Sequence, residues 1–276
     1  MFLQFLTRIS DSSGWRWVSY STALAALAVV PLAAFVLRDR PEDVGLSAYG
    51  APAGYVTPEG NENPIRVAFD GLRDISRLGG FWLLFGGFLV CGVSTNGLIA
   101  THFIPAAGDH HMHRTTAAGL LSLIGFFDIG GTLLSGWLSD RMDSRILLAG
   151  YYAARGMSLL LLQQALNLGG FPLWVFMIFY GLDWVATVPP TVRLCVDVCG
   201  PERGTVAYGW VFAGHQIGAA IMAWLAGFLR DTTGSYQSAF VIAGTCCLAA
   251  AIASWRIRLP EPAARDVDRP RVPVAH

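Results

Sequence analysis

The decapeptide GWLSDRMDSR, residues 136–145, sets two aspartates and two arginines between apolar runs long enough to cross a bilayer. Those runs carry almost no charge of their own. Across all 276 residues the chain is 54% hydrophobic and only 14% charged, with a mean hydropathy of +0.48. Soluble domains carry about 25% charged residues, so this composition is too poor in charge to cover a water-facing surface. Roughly 20 apolar residues cross a hydrocarbon core of about 30 Å. Runs of that length occupy 17–37, 80–104, 115–138, 146–166, 172–193, 205–228 and 236–255. Backbone groups in lipid must be satisfied within their own segment, which makes each run a helix. The expectation is an all-α membrane protein of about seven transmembrane helices. A formal net charge of zero gives no reason for a nucleic-acid partner.

Charge around the runs orients them. All 19 basic residues are arginine. With the 38–78 connection in the cytoplasm, fourteen fall on that side, from Arg38 to Arg271 and including Arg141 and Arg145. Arg8, Arg16, Arg114 and Arg230 fall on the other, and Arg155 lies inside a span. Short loops show the same contrast: SDRMDSR has two arginines, NLGG at 167–170 none. By the positive-inside rule the C-terminus is cytoplasmic and residues 1–16 face outward. The first run is read as a membrane anchor, since it begins only at residue 17 and no clear small-x-small site follows it.

Composition divides the rest. Residues 1–16 read as the tail of an earlier helix with a short outer loop, which implies that something is missing upstream. The first transmembrane helix is 17–37. The 38–78 segment is a cytoplasmic connection with a Pro/Gly/Asn-rich linker at 50–64. Its amphipathic stretch RVAFDGLRDISRL, with Ala68, Leu72 and Ile75 on one face, suits a helix lying on the leaflet. Residues 79–258 hold six spans, and 259–276 form a Pro/Arg-rich cytoplasmic tail of disordered composition.

Gly136, Leu138, Asp140, Arg141 and Arg145 match the G-x-L-x-D-R-x-x-x-R cytoplasmic loop of the major facilitator superfamily. A glycine there lets two helices approach closely, and the acid and arginines beyond it can pair across bundles and latch one conformation. GWRW at 14–17, RPEDVGL at 40–46, YGLDWVATVPPTV at 180–192 and RDTTGSY at 230–236 resemble bacterial members of the monocarboxylate and oxalate–formate branch. The similarity covers roughly residues 4–258. It implies two six-helix halves joined by a long cytoplasmic loop, so the seven spans correspond to helix six and the C-terminal half. Helices one to four and most of five are then absent. The resemblance implies a secondary active transporter of a small organic solute, a carboxylate among them, working by alternating access as a proton-coupled symporter or antiporter. The membrane is then a bacterial cytoplasmic membrane. The alternative is a truncated remnant or assembly-dependent subunit without transport of its own. The partners implied are the solute, the lipid bilayer, and a missing N-terminal half or second copy.

Polar residues inside spans are costly and mark pathways or pairs. On the second span Thr95 and His102 are seven apart, with Asn96 beside the first. On the third, Asp128, Thr132 and Ser135 form a single stripe; on the fifth, Asp183 and Thr187 precede Pro189-Pro190; on the sixth, Tyr208 and His215 are seven apart. Asp128 is the sharpest candidate. A fixed charge within the bilayer is costly, so its carboxyl reads as a proton-exchanging group, or else as a helix cap or buried hydrogen bond. GFFDIGG also resembles the monocarboxylate-porter segment whose aspartate couples protons, where an arginine follows one turn later. Here that position is Thr132. Arg155 reads as an ion-pair partner of Asp128 or Asp183. His102 and His215 read as cavity residues or interhelical hydrogen bonds. The prolines should bend or break their helix, and Gly214-x-x-x-Gly218 is a close-packing motif.

Other chemistries find little support. GDHHMHR at 108–114 is dense in metal-capable side chains but lacks tetrahedral spacing, and reads as a solvated loop without a metal. The five cysteines lie in or beside spans and form no disulfide framework. There is no lysine to hold retinal, and no H-E-x-x-H or G-x-S-x-G for hydrolysis. Neither enzyme activity nor a cofactor is expected.

Overall fold

A computed structural model describes residues 2–38, 41–46 and 63–259. The 50–62 part of the linker and the tail from 260 lie outside the described residues. Among the described residues every regular element is helical. The chain divides into two units, 1–67 and 68–276.

The first unit holds α1 (Phe2–Ser13) and α2 (Trp15–Val36). Residues 2–16 are therefore themselves mostly helical. Gly14, at φ 86°, separates the two helices in a left-handed conformation that disfavours other residues. A short 3₁₀ turn, Pro41–Val44, follows, and α3 (Pro64–Ile75) then leads into the second unit.

The second unit is a six-span bundle. Its first span, Gly79–Asp109, runs as α4 (Gly79–Gly92), a stretch of π turns (Val93–Ala100) and α5 (Thr101–Asp109). Next come α6 (Arg114–Ser139) and α7 (Ser144–Leu168). The following span, Gly170–Cys199, is broken into α8 (Gly170–Asp183) and α9 (Val188–Cys199). α10 (Gly204–Thr233) and α11 (Gln237–Trp255) complete it. With α2, seven helical segments among the described residues have the length and hydropathy to cross a membrane. This is an all-α membrane protein. Several spans overrun their apolar runs by one to six residues, because helical hydrogen bonding does not stop where apolar composition does.

The closest pairings are α4 with α10, α7 with α11 and α6 with α8. Glycine permits the first. A Cβ on Gly218 would overlap the Leu89 carbonyl, and one on Gly92 the His215 carbonyl. Without a hydrophobic drive between helices in lipid, such close backbone approach is a main source of cohesion. Two apolar clusters fill the bundle. One gathers Leu98, Phe103, Leu159 and Phe240 toward the 110–113 turn, the other Phe81, Leu84, Leu148 and Val198 toward the 140–143 turn. Between them, near the middle of the spans, lies a polar layer.

The second unit also holds α3 from Ala68 onward. Its apolar face, expected to meet the leaflet, packs on protein instead. Ile75 is buried, Phe69 meets Trp210 edge-on at 5.4 Å, and the Trp210 indole donates to the Ala68 carbonyl at 3.0 Å. Asp74 pairs with Arg203 at 3.0 Å. Trp210, near the start of α10, offers this helix both an apolar ring face and a donor.

Candidate functional site

The break between α8 and α9 organises the polar layer. Pro189 and Pro190 have no N–H, so the carbonyls of Val185 and Ala186 lose their usual helical partners. Val188 donates to the Val185 carbonyl at 2.8 Å, and the Ser135 hydroxyl, from α6, donates to that of Ala186. The expected break thus falls at 184–187, just before the proline pair.

Asp128 faces the same break. Its Oδ1 accepts the Val185 N–H at 3.0 Å and the Thr132 hydroxyl at 3.1 Å. The Asp128, Thr132 and Ser135 stripe therefore lies along the interrupted backbone, with Asp128 and Thr132 half-buried. Val185 lies inside the break, between Trp184 at the end of α8 and Thr187 before α9, so Asp128 gives a backbone N–H that belongs to neither helix an acceptor.

Arg155 holds the other side. From α7 its Nε donates to Asp183 Oδ2 at 2.6 Å, and its Nη2 to the carbonyls of Asp183 and Trp184. Nη1 donates to Cys91 Sγ at 3.0 Å, and Cys91 lies 3.4 Å from the Thr187 hydroxyl. Of the two acids open to it, Arg155 meets Asp183. The cation sits on the last carbonyls of α8, where helix-end charge favours it. Both charges are almost fully buried, and Asp183 Oδ1 has no hydrogen-bond partner. Tyr152 and Tyr180 flank the guanidinium about 6 Å away.

The remaining candidates divide. Asn96, exposed, contacts His215 Nε2 at 3.3 Å, and His215 stacks on Phe212 with its Nδ1 unpartnered. Tyr208 and His215 both border Phe88, as their spacing on a regular helix requires. Thr95 and His102 are not brought together. Thr95 bonds back to the Cys91 carbonyl at 2.7 Å, whereas His102 bridges the Ala223 carbonyl and the Tyr236 hydroxyl. The π turns between them change the register, so seven residues no longer make two turns.

In the opening loop, Asp140 pairs with Arg193 of α9 at 3.3 Å. Arg141 stacks on Trp137 at 4.1 Å and donates to its carbonyl. Arg145 pairs with Asp143 at 2.6 Å and reaches the Ile257 carbonyl. The Arg145 side chain beside Asp143 holds that carboxyl below the usual carboxylate range. Leu138 supplies the carbonyl on which the turn closes, accepting from Arg141 and Met142. Gly136 departs from expectation: a Cβ there would meet nothing within 4 Å. The close approach on α6 falls instead at Gly131, against the Leu182 carbonyl. Gly136 lines an open cleft with Ser139, Asp140, Pro189 and Arg193. At the other turn, Asp109 pairs with Arg230 and His110 contacts Gln163, so the GDHHMHR side chains do not converge.

The sequence reading missed Cys91, Tyr152 and Tyr180. Cysteine and tyrosine in apolar runs look like packing. The available signal was the run Cys91-x-x-Ser94-Thr95, where three polar side chains follow within a turn.

A profile of the Major Facilitator Superfamily matches residues 5–207 and 185–275. The chain belongs to this superfamily. It is 30% identical over 173 residues to the uncharacterized MFS-type transporter YcxA of Bacillus subtilis (strain 168), covering 57% of this chain and 41% of that protein. It is 30% identical over 192 residues to monocarboxylate transporter 13 of Rattus norvegicus, covering 64% and 44%. Against monocarboxylate transporter 12 of Homo sapiens it is 30% identical over 171 residues, covering 59% and 33%. The chain spans less than half the length of these curated relatives. It is an integral membrane protein of a transporter superfamily.

Proposed function

We propose that residues 79–258 form one half of a secondary active transporter that moves a small organic solute, of the carboxylate class, by proton-coupled alternating access. The observation that carries this reading is the break at 184–187, with a carboxylate on each side of it. Discontinuous helices near mid-membrane expose half-helix ends where transporters bind solutes and ions. Asp128 holds one end and Arg155 with Asp183 the other. Protonation of either acid would weaken its hold on the break and free α9 to move against α8, coupling proton uptake to a change of access. The carboxylate class rests on the names of the monocarboxylate transporters among the relatives. The arginine distribution supports a C-terminus in the cytoplasm, and the Bacillus relative a bacterial cytoplasmic membrane.

Asp128→Asn separates coupling from the structural hydrogen bond. The amide oxygen still accepts the Val185 N–H, so thermal stability should stay within about 0.5 kcal/mol. In a transporter containing both halves, pH-gradient-driven uptake of a monocarboxylate should be lost while solute binding survives. Unchanged uptake refutes coupling at Asp128; uptake and stability lost together assign the residue to the fold alone. A second reading is a subunit that transports only when assembled with another half. Uptake by this chain alone in proteoliposomes would refute it, and uptake only with a co-expressed N-terminal half would support it.

A further inference from the structure

Beyond α11 the chain is pinned at one residue. Ile257 is 1% exposed, its side chain set in the cluster of Phe81, Leu84 and Val198, and its carbonyl accepts the Arg145 guanidinium at 3.2 Å. Its neighbours Arg256 and Arg258 are exposed, and both line a cleft of about 600 Å³. The other walls are Leu78, Leu83, Val198 and Leu259, with the glycine pair that opens α4. Among the described residues neither arginine has an ion pair or side-chain hydrogen bond. By contrast Arg145, Arg155, Arg193, Arg203 and Arg230 each have an acid partner. Two cations without an acid therefore meet an apolar hollow at one end of the bundle.

The depth of this hollow in the membrane follows from its neighbours. Trp82 and Trp255 are 52% and 69% exposed at the same end, and exposed tryptophans at span ends mark the headgroup level. A small soluble anion would engage the arginines but leave the leucine walls in water. An amphiphile satisfies both halves of the cleft: phosphate against the guanidiniums, the first acyl methylenes against Leu78, Leu83 and Leu259. We propose that this cleft binds an anionic phospholipid, whose headgroup ties the end of α11 to the start of α4. Basic pockets between membrane helices recognise lipid headgroups by this chemistry.

The test uses the full chain in phospholipid nanodiscs and native mass spectrometry after mild extraction. Phosphatidylglycerol should be retained over phosphatidylcholine. Arg256→Gln and Arg258→Gln should each lower that retention about fivefold, the corresponding lysine variants should keep most of it, and Arg193→Gln at the same end should leave it unchanged. A phosphatidylglycerol with a diazirine near the head of its acyl chain should label peptides containing 78–83 or 198. Equal retention of the two lipids, an equal loss in Arg193→Gln, or labelling elsewhere overturns the proposal. So does displacement of the lipid by an equimolar amount of inorganic phosphate, which would make the site one for a free anion.

Discussion

Among the described residues Arg155 is the largest fully buried side chain, and it is charged. Such a charge survives burial only when paired and hydrogen-bonded. Asp183, two backbone carbonyls and the Cys91 thiol meet that demand from two other spans. The pair is worth less than its short distance suggests, since both ions gave up hydration to form it. Removing one partner is a different matter. Arg155→Leu strands a buried carboxylate and frees the α8 carbonyls, and should cost about 3–5 kcal/mol. Arg155→Leu with Asp183→Leu should recover most of that loss. Thermal unfolding of both variants in one detergent checks this; a double variant no more stable than the single one would show that the stranded charge is not the source of the cost. At the same break, Asp128→Ala should cost about 1–3 kcal/mol, because Val185 keeps an N–H without its side-chain acceptor.

Elements that look alike in sequence behave differently. α10 is a regular helix, and Tyr208 and His215, seven apart, meet the same ring of Phe88. The span 79–109 carries eight residues of π turns, and Thr95 and His102, also seven apart, turn to different partners. Glycines divide in the same way. Gly218→Ala should destabilise the protein by about 1–3 kcal/mol, the range of overpacking, because the new methyl meets the Leu89 carbonyl. Gly136→Ala meets open space and should stay within about 0.5 kcal/mol. If Gly136→Ala nevertheless abolishes uptake in a transporter with both halves, the glycine serves a contact with the other half. Stability and uptake measured together decide this, and equal destabilisation of the two variants would refute the assignment of close packing to Gly218.

On the scale of the whole molecule, the bundle places apolar clusters toward its two ends and charge midway, the reverse of a soluble core's gradient. Polar groups at that depth are costly unless they hold one another or serve a pathway, and here the network holds a broken span together. The orientation proposed above rests on the arginines rather than on the packing. Single cysteines at 50–64 should react with impermeant thiol reagents only from the cytoplasm, and single cysteines at 108–113 only from outside. The reverse pattern would overturn the orientation. The assay requires Cys199 and Cys246 to be replaced first, because both are free and only partly buried, whereas Cys91, Cys195 and Cys247 are buried.

The sequence alone was enough to determine the number of spans, the broken helix before Pro189-Pro190, the polar stripe on α6 and the superfamily. These depend on composition, proline's missing N–H and periodicity along one helix, all local properties. It offered Arg155 two acids and could not choose, since the choice depends on which spans are neighbours and at what height. It also placed Gly136 at a helix crossing, where the bundle has an open cleft and uses Gly131 instead. Cys91 passed for packing, because a thiol shows its polar role only when a guanidinium from another span lies 3.0 Å away. Tertiary structure decided these points for one physical reason. A helix fixes which residues share its face, but only packing against other helices fixes what that face meets.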